Sequence, residues 1–210
     1  MSDIRKGLVQ AALNKSIALI NYNIHDDLHK RHEFKQQTIL ADNSLTNDEK
    51  AYAIRELNKV YDRNKVQNNS GTKRICENCS QECLATLYCE LCVRNYLKAN
   101  FPNWTSGNDD IENLIRECQM ETLEPQLVIE WIPYDKLQNI KYRTEGGCSK
   151  IYTAEWIDGG HYFEWNSKKQ QLTREYEFEE SVVQTVVLKR LENVENANKR
   201  WLDEVRNLNI

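Results

Sequence analysis

Apolar residues in the first third of the chain recur at helical steps. Leu13, Ile17, Ile20, Ile24 and Leu28 follow one another at intervals of four, three, four and four, which puts them on one stripe and predicts a long amphipathic helix from Ile4 to about Gln36. The pattern breaks between Thr38 and Leu45. Thr46 with Glu49 three residues on then makes a capping box, so a second helix is expected from Asn47 to about Lys65, with Ile54, Leu57 and Tyr61 as its stripe. Two such helices on a short polar link are expected to pack as an antiparallel hairpin over residues 1–70. The polar run from Gln67 to Gly71 reads as a linker.

Further on, the period changes. A short helix is expected from Val93 to Asn100, stopped by Pro102, and Asp109 and Asp110 suit the positive end of another, with Ile111, Leu114, Ile115 and Cys118 as its stripe. After Pro125 the chain turns extended. Gln138–Tyr142 and Lys150–Ile157 are rich in β-branched and aromatic residues and flank Gly146-Gly147, which predicts a hairpin; Val182–Leu191 reads as a third strand. The connection from Asp158 to Ser181, with Glu175, Glu177, Glu179 and Glu180, is expected to be a mobile acidic loop. The fold class is therefore α+β: a helical hairpin (1–70), a small cysteine unit (71–104), a connecting helix and lead-in (105–130), and an incomplete antiparallel sheet from residue 131 onward.

Composition narrows the class. A net charge of −4 over 210 residues, with a pI near 5.7, argues against a nucleic-acid surface, and no apolar run approaches the length of a membrane span. Seven cysteines is an odd number, and four of them fall in two Cys-x-x-Cys pairs, Cys76/Cys79 and Cys89/Cys92. That usage fits metal binding in a reducing, intracellular compartment, the cytoplasm, better than a disulfide framework. Two pairs supply four thiolates able to meet tetrahedrally around one structural zinc ion, each pair forming a knuckle turn. Cys83 between them is a fifth thiol able to replace one of the four, and ordinary buried cysteines are the alternative reading. His25, His29 and His32 are placed by their spacing on one helix face, but Lys30 and Arg31 among them favour a solvated polar face over a metal site.

The chemistry-bearing pattern lies at the end of the chain. A glycine pair follows one apolar run, Ile151-Tyr-x-Ala-x-Trp156 follows the glycines, Lys189 sits inside Val186-Val-Leu-Lys-Arg-Leu191, and Glu204 lies on the helix-spaced Trp201–Val205. On these residues the chain from Trp131 onward resembles the start of a protein kinase domain of the tyrosine-kinase-like type. With Asn103-Trp-Thr-Ser-Gly-Asn108, Glu130-Trp-Ile-Pro-Tyr134 and the double Cys-x-x-Cys unit, the whole chain resembles a large family of kinase-like proteins of arbuscular mycorrhizal fungi.

The resemblance implies a nucleotide site in which Gly146 matches the second glycine of the phosphate loop, Gly147 follows it, Lys189 matches the lysine that holds the α- and β-phosphates of ATP, and Glu204 matches the helix glutamate paired with that lysine. Thr144 and Ser149 stand where the first and third glycines belong, so the loop departs from the pattern. The sequence contains no His-Arg-Asp and no Asp-Phe-Gly, and the expectation is a truncated, non-catalytic kinase-like protein, a pseudokinase that retains ATP as a candidate ligand. An incomplete sheet of this kind exposes an edge that a protein partner would cover. Two other functions remain open: a protein-interaction module of helices and zinc unit with a vestigial kinase tail, and an active protein kinase of which this is one part.

Overall fold

A computed structural model describes residues 4–146, 149–157, 159–174 and 183–191. It is mixed α+β, with five α-helices and three small antiparallel sheets among the described residues. The chain divides into two compact units, 1–90 and 91–210, the boundary falling inside the first turn of a helix, and each unit is described by itself.

The first unit contains three long helices where the apolar spacing predicts two. The expected run from Ile4 to Gln36 is broken into α1 (Lys6–Ala18) and α2 (Leu28–Leu40), and α3 spans Asn47–Gln67. Short polar side chains cause the break. Asn21 Oδ1 accepts from the N–H of Asn23 at 3.0 Å, and Asp27 caps α2 by accepting from Lys30 N at 2.7 Å, so both satisfy backbone groups outside a continuous helix. Two residues of the expected stripe consequently face water: Ile17 is 49% exposed and Ile24 64%. The core is built instead from Val9, Ala12, Ile39, Leu45, Ala53 and Leu57, to which all three helices and the α2–α3 turn contribute. The helical hairpin expected over residues 1–70 is thus a three-helix unit.

The start of α3 follows the sequence closely. Thr46 Oγ1 accepts from Glu49 N at 3.3 Å and Glu49 Oε2 accepts from Thr46 N at 2.8 Å, closing the capping box. After α3, the two-residue strands β1 (Arg74–Ile75) and β2 (Glu82–Cys83) pair antiparallel and carry the cysteine turns.

In the second unit, α4 (Glu90–Asn100) ends in a 3-10 turn over Phe101–Asn103, and α5 (Asp109–Glu121) is capped by Asn108, whose Oδ1 accepts from Asp110 N and Ile111 N. Gly107 supplies the left-handed backbone, φ +75°, of the turn that delivers that cap. Strands β3 (Leu137–Gly146) and β4 (Ser149–Trp156) form the expected hairpin, and β7 (Gln184–Leu191) adds to β4, giving the antiparallel order β3-β4-β7. Asn139, at φ +51°, sits at a register shift that bends β3.

The connection expected as a mobile loop carries a second hairpin, β5 (Tyr162–Asn166) with β6 (Gln171–Arg174). Trp165 and Leu172, paired across it, are buried, and β5 packs on a 3-10 turn over Pro125–Leu127. The acidic residues Glu175, Glu177, Glu179 and Glu180 lie outside the described residues. Among the described residues no helix is long and apolar enough to cross a membrane.

Candidate functional site

The four cysteines of the two Cys-x-x-Cys pairs come together. Their sulfur atoms lie within 4.8 Å of one another, with Cys79 Sγ 3.7 Å from Cys89 Sγ. A tetrahedral site with Zn–S bonds of about 2.3 Å has sulfurs separated by about 3.8 Å, so the cluster has the dimensions the ion requires. Cys76, Cys89 and Cys92 are buried and Cys79 is half-buried.

Local backbone geometry builds the cluster. Cys76 and Cys79 bracket a tight turn in which Ser80 N donates to Cys76 O at 2.9 Å, with Ser80 in the left-handed region, φ +56°. Within that turn the Cys79 N–H, working against burial and joined by the Asn78 N–H, holds the Cys76 thiol down to about 6. Donors aimed at the sulfur favour the thiolate, the form that binds metal. Cys89 and Cys92 are delivered by the entry and first turn of α4.

The segment between the pairs is held by three charged side chains that the spacing of cysteines does not reveal. Arg74 donates from Nε to Ala85 O at 2.7 Å and from Nη2 to Tyr88 O at 2.6 Å. Glu90 Oε1 accepts from Leu84 N and Ala85 N, at 3.0 and 2.9 Å. Asp62, fully buried on α3, accepts from Thr86 and Leu87. Cys83 also approaches Cys89 and Glu90, but Glu90 is occupied by that loop and burial pushes the Cys83 thiol up, so the group offers a poorer ligand set than the four paired cysteines. Four thiolates would complete a tetrahedron and leave no open position for substrate, so an ion held here would be structural.

The histidines take a different place. His32 stacks on Tyr61 with ring centroids 3.9 Å apart, His29 Nδ1 lies 2.8 Å from the Tyr61 hydroxyl, and His25 precedes α2. His29 and His32 serve the α2–α3 contact, while His25 lies against Phe34 of α2.

The nucleotide-site residues expected from the resemblance are described only in part. Gly146 ends β3, paired with Ser149 of β4. Lys189, exposed on β7, lies directly across from Ile151 of β4, on the same face as Val187. Gly147 and Glu204 lie outside the described residues, and the expected Lys189–Glu204 ion pair lies there with them.

A second set of residues is brought together without any cue from spacing. Asn103, Trp104, Glu130 and Trp131, from the two phrases singled out for their resemblance, line a common cavity with Gln119 of α5, Tyr162 of β5 and Arg174 of β6. No family model matches the chain, and neither a curated protein nor a solved structure does.

Proposed function

We propose that the chain is a protein-kinase-like protein whose helical, zinc-stapled N-terminal part precedes a nucleotide-facing sheet. The zinc part rests on the four converging sulfurs, with Cys76, Cys79, Cys89 and Cys92 as the complete ligand set of one structural ion.

What supports the kinase-like part is the pairing of Lys189 with Ile151. A kinase arranges its first strands as an antiparallel meander in which the lysine strand lies beside the strand leaving the phosphate loop. Here β3, β4 and β7 follow that order, and alternation puts Ile151, Thr153, Val187 and Lys189 on one face with Lys141 across from Thr153, so that a bed of Ile151 and Val187 lies between two ammonium groups. In this reading the bed takes the purine of ATP, Lys189 meets its phosphates, and Gly146 and Gly147 let backbone N–H groups approach them. Glu204 is the partner assigned to Lys189.

Thermal unfolding with and without millimolar Mg-ATP tests the reading, since a ligand bound only by the folded state raises its stability. The expected result is an upward shift in Tm that is lost in Lys189→Ala, with zinc content unchanged. An absent shift, or an equal one in the variant, would leave the helical and zinc-bearing part as the functional portion and remove ATP from the assignment.

A further inference from the structure

The hairpin β5–β6 leaves a recess in the second unit that neither the thiol cluster nor the sheet β3-β4-β7 uses. It is a cavity of about 210 Å³ with Trp104, Trp131 and Tyr162 among its walls. The polar groups around these rings are planar: the amides of Gln119, Asn100 and Asn103, the last donating to Asn100 Oδ1, the Glu130 carboxylate and the Arg174 guanidinium.

Two observations define what the cavity would accept. The first is an acceptor that nothing among the described residues satisfies. Gln119 is 4% exposed, and its Nε2 donates to Ile129 O at 2.6 Å, which settles the orientation of the amide; its Oε1 is then buried with no hydrogen-bond partner. Buried polar atoms in folded proteins are paired almost without exception, so this one is left for a donor that the described residues do not supply, an ordered water or a ligand hydroxyl.

The second is charge balance. Arg174 Nη1 donates to Glu130 Oε1 at 3.0 Å, Nη2 donates to Oε2, and the guanidinium lies 4.1 Å from the centre of the Tyr162 ring. Both side chains are largely out of water, and each neutralises the other. An anionic ligand would meet an arginine already paired, and a cationic one a carboxylate already paired. A neutral ligand with several hydroxyl donors and an apolar face meets no such conflict.

We propose that this cavity binds a neutral monosaccharide unit. The pyranose C–H face rests on an indole ring, whose negative quadrupole suits weakly positive C–H groups. One hydroxyl donates to Gln119 Oε1, and others reach the Asn103 amide and the outer lone pairs of Glu130. Planar side chains set beside aromatic walls suit adjacent hydroxyls, and a cavity of this size takes a single ring. The same chemistry is presented by a free sugar and by the terminal residue of a glycan.

Saturation-transfer NMR on the full zinc-loaded chain tests the proposal. The probes are glucose, galactose, mannose and N-acetylglucosamine, each free and as an oligosaccharide, with tetramethylammonium and adenosine as ligands of other classes. Transfer to one ring face of at least one sugar is expected, and affinity should fall about tenfold or more in Trp104→Ala. Asn103→Ala, at an exposed position where folding is not at stake, should weaken binding in the same direction. Binding of an oligosaccharide without its free sugar assigns the site to a glycan end, and the reverse assigns it to a soluble sugar. Absence of transfer to every sugar, transfer unchanged in both variants, or displacement of the sugar by tetramethylammonium or adenosine at lower concentration overturns the proposal.

Discussion

Asp62, in the third helix, accepts from both the backbone N–H and the hydroxyl of Thr86, each at 2.8 Å, and its second oxygen accepts from Leu87 N at 2.9 Å. A fully buried carboxylate thereby holds the loop between the two cysteine pairs against α3. Burial pushes the carboxyl up, while these donors pull it back. Asp62→Ala orphans two backbone N–H groups, each costing about 1–3 kcal/mol, so the folded state should lose about 3 kcal/mol or more in urea unfolding. Thr86→Ala leaves both backbone donors satisfied and should cost about 1 kcal/mol. Equal losses in the two variants would show that the backbone contacts contribute little.

Purified protein should hold about one zinc ion per chain. Cys76→Ser and Cys92→Ser should abolish that content and lower Tm steeply, because structural zinc binding and folding are coupled. Cys83→Ser and Cys118→Ser, buried thiols outside the four-sulfur cluster, should retain the metal. Elemental analysis after gel filtration reads both outcomes. Metal retained by Cys76→Ser, or lost by Cys83→Ser, would reassign the ligand set.

Features controlled by neighbours in sequence are legible from the sequence alone. The Thr46–Glu49 capping box marks the start of α3 to the residue, the Cys-x-x-Cys turns place their sulfurs together, and Gly146 ends β3 where it pairs with Ser149 of β4. The first helix breaks where apolar spacing predicts continuity, because that spacing runs from Leu13 to Leu28 while Asn21, Asn23, Asp26 and Asp27 interrupt it. The side chains of Asn21 and Asp27 bond to nearby backbone, and that local competition outweighs a periodicity that would otherwise extend the helix. The β5–β6 hairpin was hidden for the opposite reason. Its stability comes from distant residues, above all Glu130, which lies 44 positions from Arg174. Asp62, Gln119 and Arg174 carry no spacing signature, so their roles emerge only when the chain is folded.

Gly159 enters the same hairpin under a tight constraint. A Cβ built there would lie 2.0 Å from the Trp156 ring, the ring over which Arg174 lies at 5.7 Å. Gly159→Ala must therefore displace Trp156 and disturb the connection from β4 to β5, at a cost of about 1–3 kcal/mol. Near-ultraviolet circular dichroism should register the moved indole, and urea unfolding the lost stability. Gly7→Ala, where nothing lies within 4 Å of the added carbon, should leave both signals unchanged. Equal behaviour of the two variants would mean that Trp156 is not packed against Gly159.

Acid should destabilise the three-helix unit in two separable windows. Arg5 donates to Glu49 from Nε at 2.7 Å and from Nη2 at 2.8 Å, and these bonds, followed by the Thr46 N–H, hold the Glu49 carboxyl down to about 2 from its ordinary 4.5. Its folded pKa lies below its unfolded one, so the stabilisation is complete above pH 4.5 and is lost as pH falls from 4.5 toward 2. His32 acts over a higher range. Burial against Tyr61 lowers its imidazole from 6.5 to about 4, with Lys35, His29 and Lys65 adding smaller effects in the same direction. The fold prefers the neutral ring, so this contribution is lost between pH 6.5 and 4. In Tm profiles from pH 8 to 2, Glu49→Gln should lie below the parent at pH 7 and converge on it near pH 2, while His32→Phe should flatten only the upper window. A Glu49→Gln gap that stays constant down to pH 2 would mean that the carboxylate stabilises the helix cap by packing and not by its charge.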